Sequence, residues 1–492
     1  MKLIVAYRGK DRGIGKDNTI PWHISEDLLT FKTKTTNVAN SEEQQGIVIM
    51  GRKTWDSIPI RFRPLRNRIN YVVSNNSSSG FKGEIESHEN TYLINDLDNF
   101  LKTVSSNTND NTWIIGGSKI YEHVLNTDLV TEIHVTEIYP TDPSNTDCDV
   151  FFPAIDTTNF AISKVSSINE TVCDATDDII HYRYITYIRR SSSLSLVDLW
   201  SSNETQYLDT LREILSTGQE TIDRTGVGTL SLFGKQFKYN LAEGLPVLTT
   251  KRVFLRAVFE ELMLYLRGQT DNRILQEKGI HIWDGNTSRE FLDSRNLEHY
   301  PEGDMGETYG FNFRHFGGEY SDCETSYGRG NGFDQLEYVI NEIKSNPHSR
   351  RIMINLWNPN TLHKAALPSC LCQYQFYVNV AKATLNLQIY IRSSDFFLAN
   401  NWNTCSGAFF VNMLCNLEGI DLTPGELTVV TGDTHLYLNH LEGVRENLDR
   451  QPRPQPIVKI KEKKASICDF KWEDLEIIGY LPRKNIKVEM AV

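Results

Sequence analysis

Hydrophobic positions in residues 1–188 fall mostly in short β-branched runs, and polar, turn-rich segments such as SNNSSSG and SSNTNDN separate several of them. Short helical stretches alternate with these runs, which predicts an α/β sheet domain. The predicted strands are KLIVAY (2–7), GIVIM (46–50), INYVV (69–73), TWII (112–115), EIHVTEI (132–138) and IIHYRYITYI (179–188).

From about residue 204 the pattern changes to amphipathic helices mixed with alternating strands. Helical apolar spacing marks ETQYLDTLREILSTGQ (204–219) and RVFLRAVFEELMLYLRG (252–268), whereas ATLNLQIYIRSSD (383–395) alternates like a strand. Serine dominates the segment between the two halves. The sequence therefore predicts a first domain at 1–188, a linker at 189–203 and a second domain at 204–492.

The bulk composition narrows the function classes. A chain of 492 residues with 39% hydrophobic content is a folded protein of two or three domains. Its net charge of −12 argues against nucleic acid as a partner. The first apolar run is too short for a signal peptide or a membrane span. Eight scattered cysteines without an export signal predict free thiols and a cytoplasmic location.

Asp27 is the first candidate for chemistry. It follows a Gly- and Pro-rich loop, and Ser25 is predicted to cap a helix that has Asp27 in its first turn. The helix dipole alone accounts for most carboxylates in that position. Trp22 and Phe31, however, place Asp27 among apolar side chains, where its charged form is disfavoured, as suits a group that binds or transfers protons.

Two strand–glycine–helix junctions predict a phosphate site. Gly51 precedes a helix that opens with Arg52 and Lys53, and Gly116 and Gly117 precede another helix. A Gly-Gly turn is more often only a turn, but two such helix starts in one domain favour a phosphate-bearing cofactor. The two cations favour NADP over NAD.

The arginine cluster RFRPLRNR (61–68) is either a solvated loop or a clamp for a substrate carboxylate. Several motifs of this half together resemble one known family. IPWHISEDLLTFK, IMGRKTWDSIP, RPLRNRIN and IIGGSKIYE, followed by VTEI and DVFFP, resemble dihydrofolate reductase over nearly all of residues 1–188. The resemblance implies a central mixed sheet flanked by helices and NADPH-dependent reduction of dihydrofolate.

Site residues follow from this resemblance. Asp27 would bind the pterin and support its protonation, and Thr136 would support Asp27. Phe31 would contact the folate and Arg68 would take its glutamate carboxylate. The NADPH site would be lined by Ala6, Ile14, Gly15, Gly51, Arg52, Lys53, Thr54, Ser74, Gly116, Gly117 and Tyr121. Ile20 and Tyr7 depart mildly from the family pattern, which bears on substrate affinity more than on chemistry.

The residues alone allow several interpretations of Cys370, which lies in ALPSCLCQYQFYV (366–378). A cysteine beside a strand is most often a small buried hydrophobe. A zinc site with Cys372 would need two further ligands, and no second pair at ligand spacing is present. A redox pair is conceivable, and a nucleophile would need cations to stabilise its thiolate.

Arginines that could serve such a thiolate, or gather one phosphate, occur at Arg224, Arg350, Arg351 and Arg392. Glu261 is a separate candidate, since its helix neighbours at three and four residues are largely apolar. Glu260 instead has Arg256 one turn back as an ordinary surface pair. Glu261 is therefore expected to be buried, with a raised pKa and either a structural or a proton-transfer role.

The motifs DRTGVGTLSLFG, HIWDGN, YGFNFRHFG, ALPSC, RSSD, GDTHLYLNH and IKVEMAV resemble thymidylate synthase from about 204 to 492. The resemblance implies an α+β domain in which Cys370 attacks dUMP and Asn403 pairs with its uracil. Tyr309 and Glu261 would handle protons. 5,10-Methylenetetrahydrofolate would be the cosubstrate, without a metal.

Further roles are implied by the same resemblance. Arg224, Arg392 and Ser393 would hold the phosphate. Arg350 and Arg351 would reach it from a second subunit, so a homodimer through the C-terminal domain is expected. The sugar would be held by His435 and Tyr437, and the folate would be faced by Trp283, Asp395 and Val492.

Departures from the synthase pattern cluster near the thiol. The family usually reads Pro-Cys-His, but this chain has Ser369 and Leu371 around Cys370. Asn401 and Trp402 stand where Pro and Phe are usual, and Phe313 where a Trp is common. A working but slower synthase is expected.

Together the halves predict a bifunctional enzyme in which the reductase regenerates the folate that the synthase oxidises. Hydroxymethylation of a pyrimidine nucleotide is the alternative enzyme, but it would leave the reductase little to do. A synthase half kept only as a dimerisation or ligand-binding scaffold is a second alternative. No membrane association is expected.

Overall fold

The computed structural model describes residues 1–36, 45–75, 78–106, 111–174, 177–190, 200, 202–222 and 226–489. The chain divides into two compact units, Met1–Ser201 and Ser202–Val492. Most of the segment predicted as a linker lies outside the described residues. No helix in the described ranges is long and apolar enough to cross a membrane.

All six strands predicted for the first half form. The strands of the first unit are β1 (Lys2–Arg8), β2 (Gly13–Gly15), β3 (Gly46–Gly51), β4 (Arg68–Val73), β5 (Thr91–Ile94), β6 (Thr112–Gly116), β7 (Glu132–Pro140), β8 (Val150–Phe151), β9 (Phe160–Val165), β10 (Asn169–Val172) and β11 (Ile179–Arg189). The helices are α1 (Ser25–Thr35), α2 (Arg52–Ser57), α3 (Ser79–Glu86), α4 (Leu97–Ser106) and α5 (Ser118–Leu125).

The main sheet of the first unit has the strand order β10-β11-β7-β1-β6-β3-β4-β5, and β9 also pairs with β11. Strands β7, β1, β6, β3, β4 and β5 run parallel, and β11 is antiparallel to β7. The expected mixed sheet is confirmed. Strand β3 shows why the runs are apolar throughout: Ile49 packs in one core, while Val48 and Met50 pack in another. Both faces of such a strand are covered.

The second unit contains the two helices and the strand predicted for it. Its strands are β12 (Gln219–Thr221), β13 (Thr229–Asn240), β14 (Met353–Asn355), β15 (Leu371–Asn379), β16 (Thr384–Asp395), β17 (Thr423–Tyr437), β18 (Ile457–Ile460) and β19 (Leu475–Ile478). Its helices are α6 (Thr205–Thr217), α7 (Leu255–Leu266), α8 (Arg273–Gln276), α9 (Asp284–Thr287), α10 (Arg289–Ser294), α11 (Tyr309–Arg314), α12 (Gln335–Ser345), α13 (Asn400–Cys415) and α14 (Leu441–Leu448).

The large sheet of the second unit has the order β12-β13-β17-β16-β15-β14. Alternate residues of β16, including Leu387, Ile389 and Ile391, are buried in the core with α7 and α13. The opposite face is different in character. Tyr377 on β15 is 59% exposed and Tyr390 on β16 is 37% exposed. One face of the sheet therefore carries the core and the other presents aromatic side chains.

Two local predictions are wrong. Helix α1 begins at Ser25, and the Ser25 hydroxyl donates to Asp174 instead of capping the helix. Glu260 pairs with Lys278, not with Arg256. In both cases a partner that is distant in sequence competes with the local one and makes the contact.

Candidate active sites

The first site is built around Asp27 in the opening turn of α1. Its Oδ1 accepts a hydrogen bond from the hydroxyl of Thr136 on β7 at 2.6 Å. Thr136 is the register partner of Ala6 on β1, so the parallel pair brings the three predicted residues together. Burial raises the pKa of Asp27, and the Thr136 hydrogen bond partly opposes that rise.

Arg68 and Phe31 lie in the same region. The Arg68 guanidinium is 5.7 Å from the centre of the Phe31 ring, and its Nη1 donates to the Thr35 hydroxyl at 2.7 Å. Burial lowers the pKa of Arg68 to about 10. A buried guanidinium held at one end is suited to receive a carboxylate. Sequence analysis missed Thr35, although it lies one helical turn beyond Phe31.

The two predicted phosphate junctions meet in space because β3 and β6 are parallel neighbours. A methyl group added to Gly51 would lie 3.8 Å from the backbone nitrogen of Gly117 and 3.3 Å from Ile120. One added to Gly117 would lie 3.2 Å from the Thr54 hydroxyl. The glycines keep the backbone open at two helix starts, so this cradle fits a dinucleotide phosphate.

Other predicted cofactor residues surround this cradle. Tyr121 is buried, and its hydroxyl donates to the carbonyl of Ile4 at 2.8 Å. Ser74 is buried directly after β4, while Ile14 and Gly15 lie on β2. Arg52 and Lys53 are both exposed on α2, where the Arg52 guanidinium packs 4.5 Å over the Phe81 ring and lies 3.5 Å from Asp56.

The second site centres on Cys370, immediately before β15. Its backbone N–H donates to the hydroxyl of Tyr309 at 2.8 Å. An Arg392 Nη2 lies 3.9 Å from the Cys370 sulfur, and the same guanidinium donates to the carbonyls of Pro368 and Ser369, both at 3.0 Å. The cation is thus fixed beside the thiol, an arrangement that favours the thiolate.

The alternatives for Cys370 have less support in the geometry. All eight cysteines are free thiols, and Cys372 is buried with its sulfur facing the carbonyl of Cys370 at 3.6 Å. Burial raises the pKa of Cys372, which makes that thiol less reactive. The described residues contain no group of three or more His, Cys, Asp or Glu that could hold a metal ion.

Glu261 receives three hydrogen bonds at its carboxylate. Oε1 accepts from the Trp283 indole at 2.8 Å and from the Tyr265 hydroxyl at 2.9 Å. Oε2 accepts from the Trp402 indole at 2.7 Å. Burial raises the pKa of Glu261, and the three donors act against that rise. Glu261 is half-buried, and its raised pKa agrees with the prediction.

An aromatic pair links this carboxylate to the thiol. The Tyr265 ring stacks on the Tyr309 ring with 4.8 Å between centroids, and Tyr309 accepts the Cys370 N–H. Tyr265 lies four residues after Glu261 on α7, and the sequence marked it only as one of the largely apolar helix neighbours of Glu261, although that spacing also permits the hydrogen bond. Trp402 was noted only as a departure, because nothing local predicts its contact with Glu261.

Predicted nucleotide-binding residues gather on β16 and β17. Asp395 and His435 are register partners, as are Ser393 and Asp433. His435 is buried, and its Nδ1 lies 2.7 Å from an Asp433 oxygen. The ring of His435 meets that of Tyr437 edge to face at 5.1 Å. The parallel pairing therefore brings Asp395, predicted to face the folate, beside His435, predicted to hold the sugar.

The remaining predicted residues fall into three groups. Trp283 is buried, and Asn403 is partly buried on α13. Arg350 and Arg351 are exposed just before β14, where the backbone of Arg351 bonds to the hydroxyls of Tyr338 and Ser349, both at 3.2 Å. Arg224 and Val492 lie outside the described residues.

The departures from the synthase pattern have specific partners. The hydroxyls of Ser369 and Thr308 lie 3.2 Å apart. Asn401 accepts from the Leu248 N–H at 3.0 Å and donates to the Pro246 carbonyl at 2.8 Å. Leu371 is buried in the core, as is Phe313. These replacements are built into the surrounding packing.

In a comparison with known proteins, each half of the chain matches a family. A dihydrofolate reductase family model matches residues 1–189, and a thymidylate synthase family model matches residues 205–492. The chain belongs to the bifunctional dihydrofolate reductase–thymidylate synthase family. The bifunctional dihydrofolate reductase-thymidylate synthase 2 of Arabidopsis thaliana is 40% identical over 512 residues, which cover 99% of this chain and 88% of the relative.

Two further relatives carry the same name, bifunctional dihydrofolate reductase-thymidylate synthase. The protein of Paramecium tetraurelia is 40% identical over 98% of this chain and 96% of its own length. That of Leishmania amazonensis is 37% identical over 99% of this chain and 95% of its own length. As a bifunctional dihydrofolate reductase–thymidylate synthase, the chain methylates dUMP and reduces dihydrofolate, with NADPH and 5,10-methylenetetrahydrofolate.

Proposed function

We propose that Cys370 is the nucleophile of the synthase half. The observation that carries this assignment is the fixed position of the Arg392 guanidinium, 3.9 Å from the Cys370 sulfur. A cation at that distance stabilises a thiolate, which is the reactive form of cysteine. The thiolate adds to carbon 6 of dUMP, and carbon 5 then bonds to the methylene carbon of the folate.

Proton transfer at this adduct falls to Glu261 and Tyr309. Carbon 5 must lose its proton before the folate departs, and the folate then returns a hydride to the new methylene group as the thiolate leaves. dTMP and dihydrofolate are the products. Glu261 supports this role as a half-buried carboxylate with a raised pKa, because the loss of solvent makes its protonated form more accessible. Asn403 would pair with the uracil.

Most of the ligand-binding roles in the synthase half fall to residues on β16 and β17. Arg392 and Ser393 would hold the phosphate together with Arg224. His435 and Tyr437 would hold the sugar, a role that their edge-to-face contact supports. Trp283 and Asp395 would face the folate. Asp395 is held in place by the N–H groups of residues 397 and 398.

A homodimer formed through the second unit accounts for two features. Arg350 and Arg351 are exposed in the chain, which suits side chains that complete the phosphate site of a partner subunit. The exposed sheet face carries Tyr377 and Tyr390, and large exposed aromatic side chains on one face are typical of an interface.

In the reductase half, Asp27 would bind the pterin and support its protonation. Its partial burial, which raises its pKa, and the Thr136 hydrogen bond support this role, since burial favours the neutral carboxyl over the carboxylate. Phe31 and Arg68 would bind the folate ring system and its glutamate. The glycine cradle with Thr54, Tyr121 and their neighbours would hold NADPH, which supplies hydride when bound.

The domain boundaries are proposed at 1–188 and 204–492, and a cytoplasmic location is proposed as well. The eight free thiols support a reducing compartment.

Tritium release from 5-tritiated dUMP in the presence of 5,10-methylenetetrahydrofolate tests the synthase assignment. Release by the wild type that is abolished in Cys370→Ala supports Cys370 as the nucleophile. A folded wild-type protein that oxidises NADPH with dihydrofolate but releases no tritium would contradict it. Equal formation of dihydrofolate and dTMP distinguishes methylation from hydroxymethylation, which does not oxidise the folate.

A further inference from the structure

The Glu261 carboxylate is held unequally at its two oxygens. Oε1 has two donors, Trp283 and Tyr265, whereas Oε2 has one donor among the described residues, the indole of Trp402. A carboxylate held at one oxygen can still rotate about its last side-chain bond, but a bond to each oxygen fixes its plane. Trp402 is therefore the contact that decides the orientation of Oε2.

The backbone that carries Trp402 is itself anchored. The neighbouring Asn401 spans the segment of residues 246–248 with two hydrogen bonds, one accepted from Leu248 and one donated to Pro246. Both of these partners are buried. Helix α13 is buried on nearly all sides, since 13 of its 16 residues are buried. The Trp402 indole thus projects from a rigid element, as a positioning group should.

We propose that Trp402 is a positioning residue of the synthase site, which fixes the Glu261 carboxylate for proton transfer through one hydrogen bond to Oε2. The proposal rests on the assignment of Glu261 to proton transfer. A phenylalanine at this position would fill similar space without the donor. The indole N–H is thus the feature of Trp402 that acts on the acid.

The direction of the effect follows from elementary electrostatics. A donor to a carboxylate favours its ionised form, so removal of the Trp402 N–H makes Glu261 harder to ionise. Any step of the reaction that requires ionised Glu261 must then begin at higher pH. The carboxylate also loses its fixed plane, which lowers the rate of proton transfer at all pH values.

The variant Trp402→Phe tests this in the full-length enzyme. The matched control is Trp472→Phe, because Trp472 packs in the same core against Phe259 and Phe409. We expect tritium release by W402F to fall roughly 10-fold, with the Glu261-dependent midpoint of the pH–rate profile raised by about one unit. The W472F profile should keep the wild-type midpoint.

Infrared titration measures the midpoint of Glu261 ionisation without catalysis. The carboxyl band of Glu261 is the one that is lost in Glu261→Gln. An upward shift in W402F supports the proposal, and an unchanged midpoint in a folded variant overturns it. If W402F is folded but too unstable for the infrared titration, thermal melting of W402F in the wild-type and E261Q backgrounds decides. The glutamine can place an N–H₂ group against the indole, so W402F should lower Tm less in E261Q than in wild type, and an equal loss contradicts the proposal.

Failure of the underlying assignment looks different. If Glu261→Gln leaves tritium release at the wild-type rate, then Glu261 does not transfer protons and the proposed function is wrong. If E261Q abolishes release while W402F shifts no midpoint, the assignment of Glu261 stands and only the role of Trp402 is contradicted.

Discussion

The backbone N–H of Cys370 donates a hydrogen bond to the hydroxyl of Tyr309, with 2.8 Å between the two atoms. The bond ties the residue before β15 to the first residue of α11. Burial raises the pKa of Tyr309, so the hydroxyl stays protonated and keeps its own proton for a second partner. The tyrosine can therefore position the thiol loop and take part in proton transfer at once.

Tyr309→Phe should show whether Tyr309 positions the thiol and transfers protons or only stabilises the fold. Removal of the Tyr309 hydroxyl removes one hydrogen bond of the Cys370 N–H, at a cost of about 1 kcal/mol in the free energy of unfolding. Displacement of the thiol should lower tritium release about 100-fold. Tyr480→Phe is the matched control, because the Tyr480 hydroxyl likewise accepts a backbone N–H, that of Val253, at 2.8 Å. Equal losses of activity in both variants would contradict a positioning role for Tyr309.

Asp27→Asn should lower the reductase activity and raise the stability of the fold. The pKa of Asp27 is raised in the folded protein, so its ionisation favours the unfolded state. Below the pKa of Asp27 in the unfolded chain, near 4, the substitution should leave the free energy of unfolding unchanged. Above the pKa of Asp27 in the folded protein it should raise that free energy by about 1 kcal/mol, which corresponds to about 2–4 °C in Tm. Dihydrofolate reduction should fall at least about 100-fold.

Glu26→Gln, in the same helical turn, is the control for Asp27→Asn. It should change neither the reductase rate nor Tm by much, because Glu26 is exposed. A stability gain in D27N that is equally large at pH 3 and pH 7 would show that ionisation of Asp27 is not its cause.

Gly117→Ala should weaken NADPH binding. The added methyl group would lie 3.2 Å from the Thr54 hydroxyl, in the cradle where the backbone must approach a phosphate. We expect KM for NADPH to rise about 10-fold with synthase activity unchanged. Gly83→Ala on α3 meets nothing within 4 Å and should leave KM at its wild-type value. Equal KM values in the two variants would remove Gly117 from the cofactor site.

Subunit complementation should restore synthase activity from two inactive variants. In a mixture of Cys370→Ala with the double variant Arg350→Ala/Arg351→Ala, each hybrid dimer would contain one site with all native groups. After subunit exchange, about one quarter of wild-type tritium release is expected. A mixture that stays at the level of the separate variants, with exchange confirmed by mass, would place both arginines outside the partner's site.

Tyr377→Glu should disrupt the dimer. It puts a charge on the exposed sheet face, where burial against a second copy would be costly. Sedimentation is expected to give a monomer, with synthase activity lost and dihydrofolate reduction retained. Lys382→Glu, in the exposed turn after β15, is the charge control and should remain dimeric. A dimeric Tyr377→Glu protein would move the interface away from this face.

Much of the first site could be predicted from the sequence, because its residues sit where regular elements end. Gly51 and Gly116 close two short apolar runs that predict buried strands, and the helices that follow begin at Arg52 and Ser118. The sequence also pointed to Glu261, since apolar neighbours at helical spacing imply burial.

Only the tertiary structure determined which side chains contact these groups. Trp402 lies 141 residues from Glu261 in the chain, and no local pattern relates the two. Ser369 meets Thr308, and Glu260 meets Lys278, for the same reason. Periodicity and turn chemistry act over a few residues and determine elements and burial. Hydrogen bonds between side chains depend on how those elements pack, and packing is a property of the whole core.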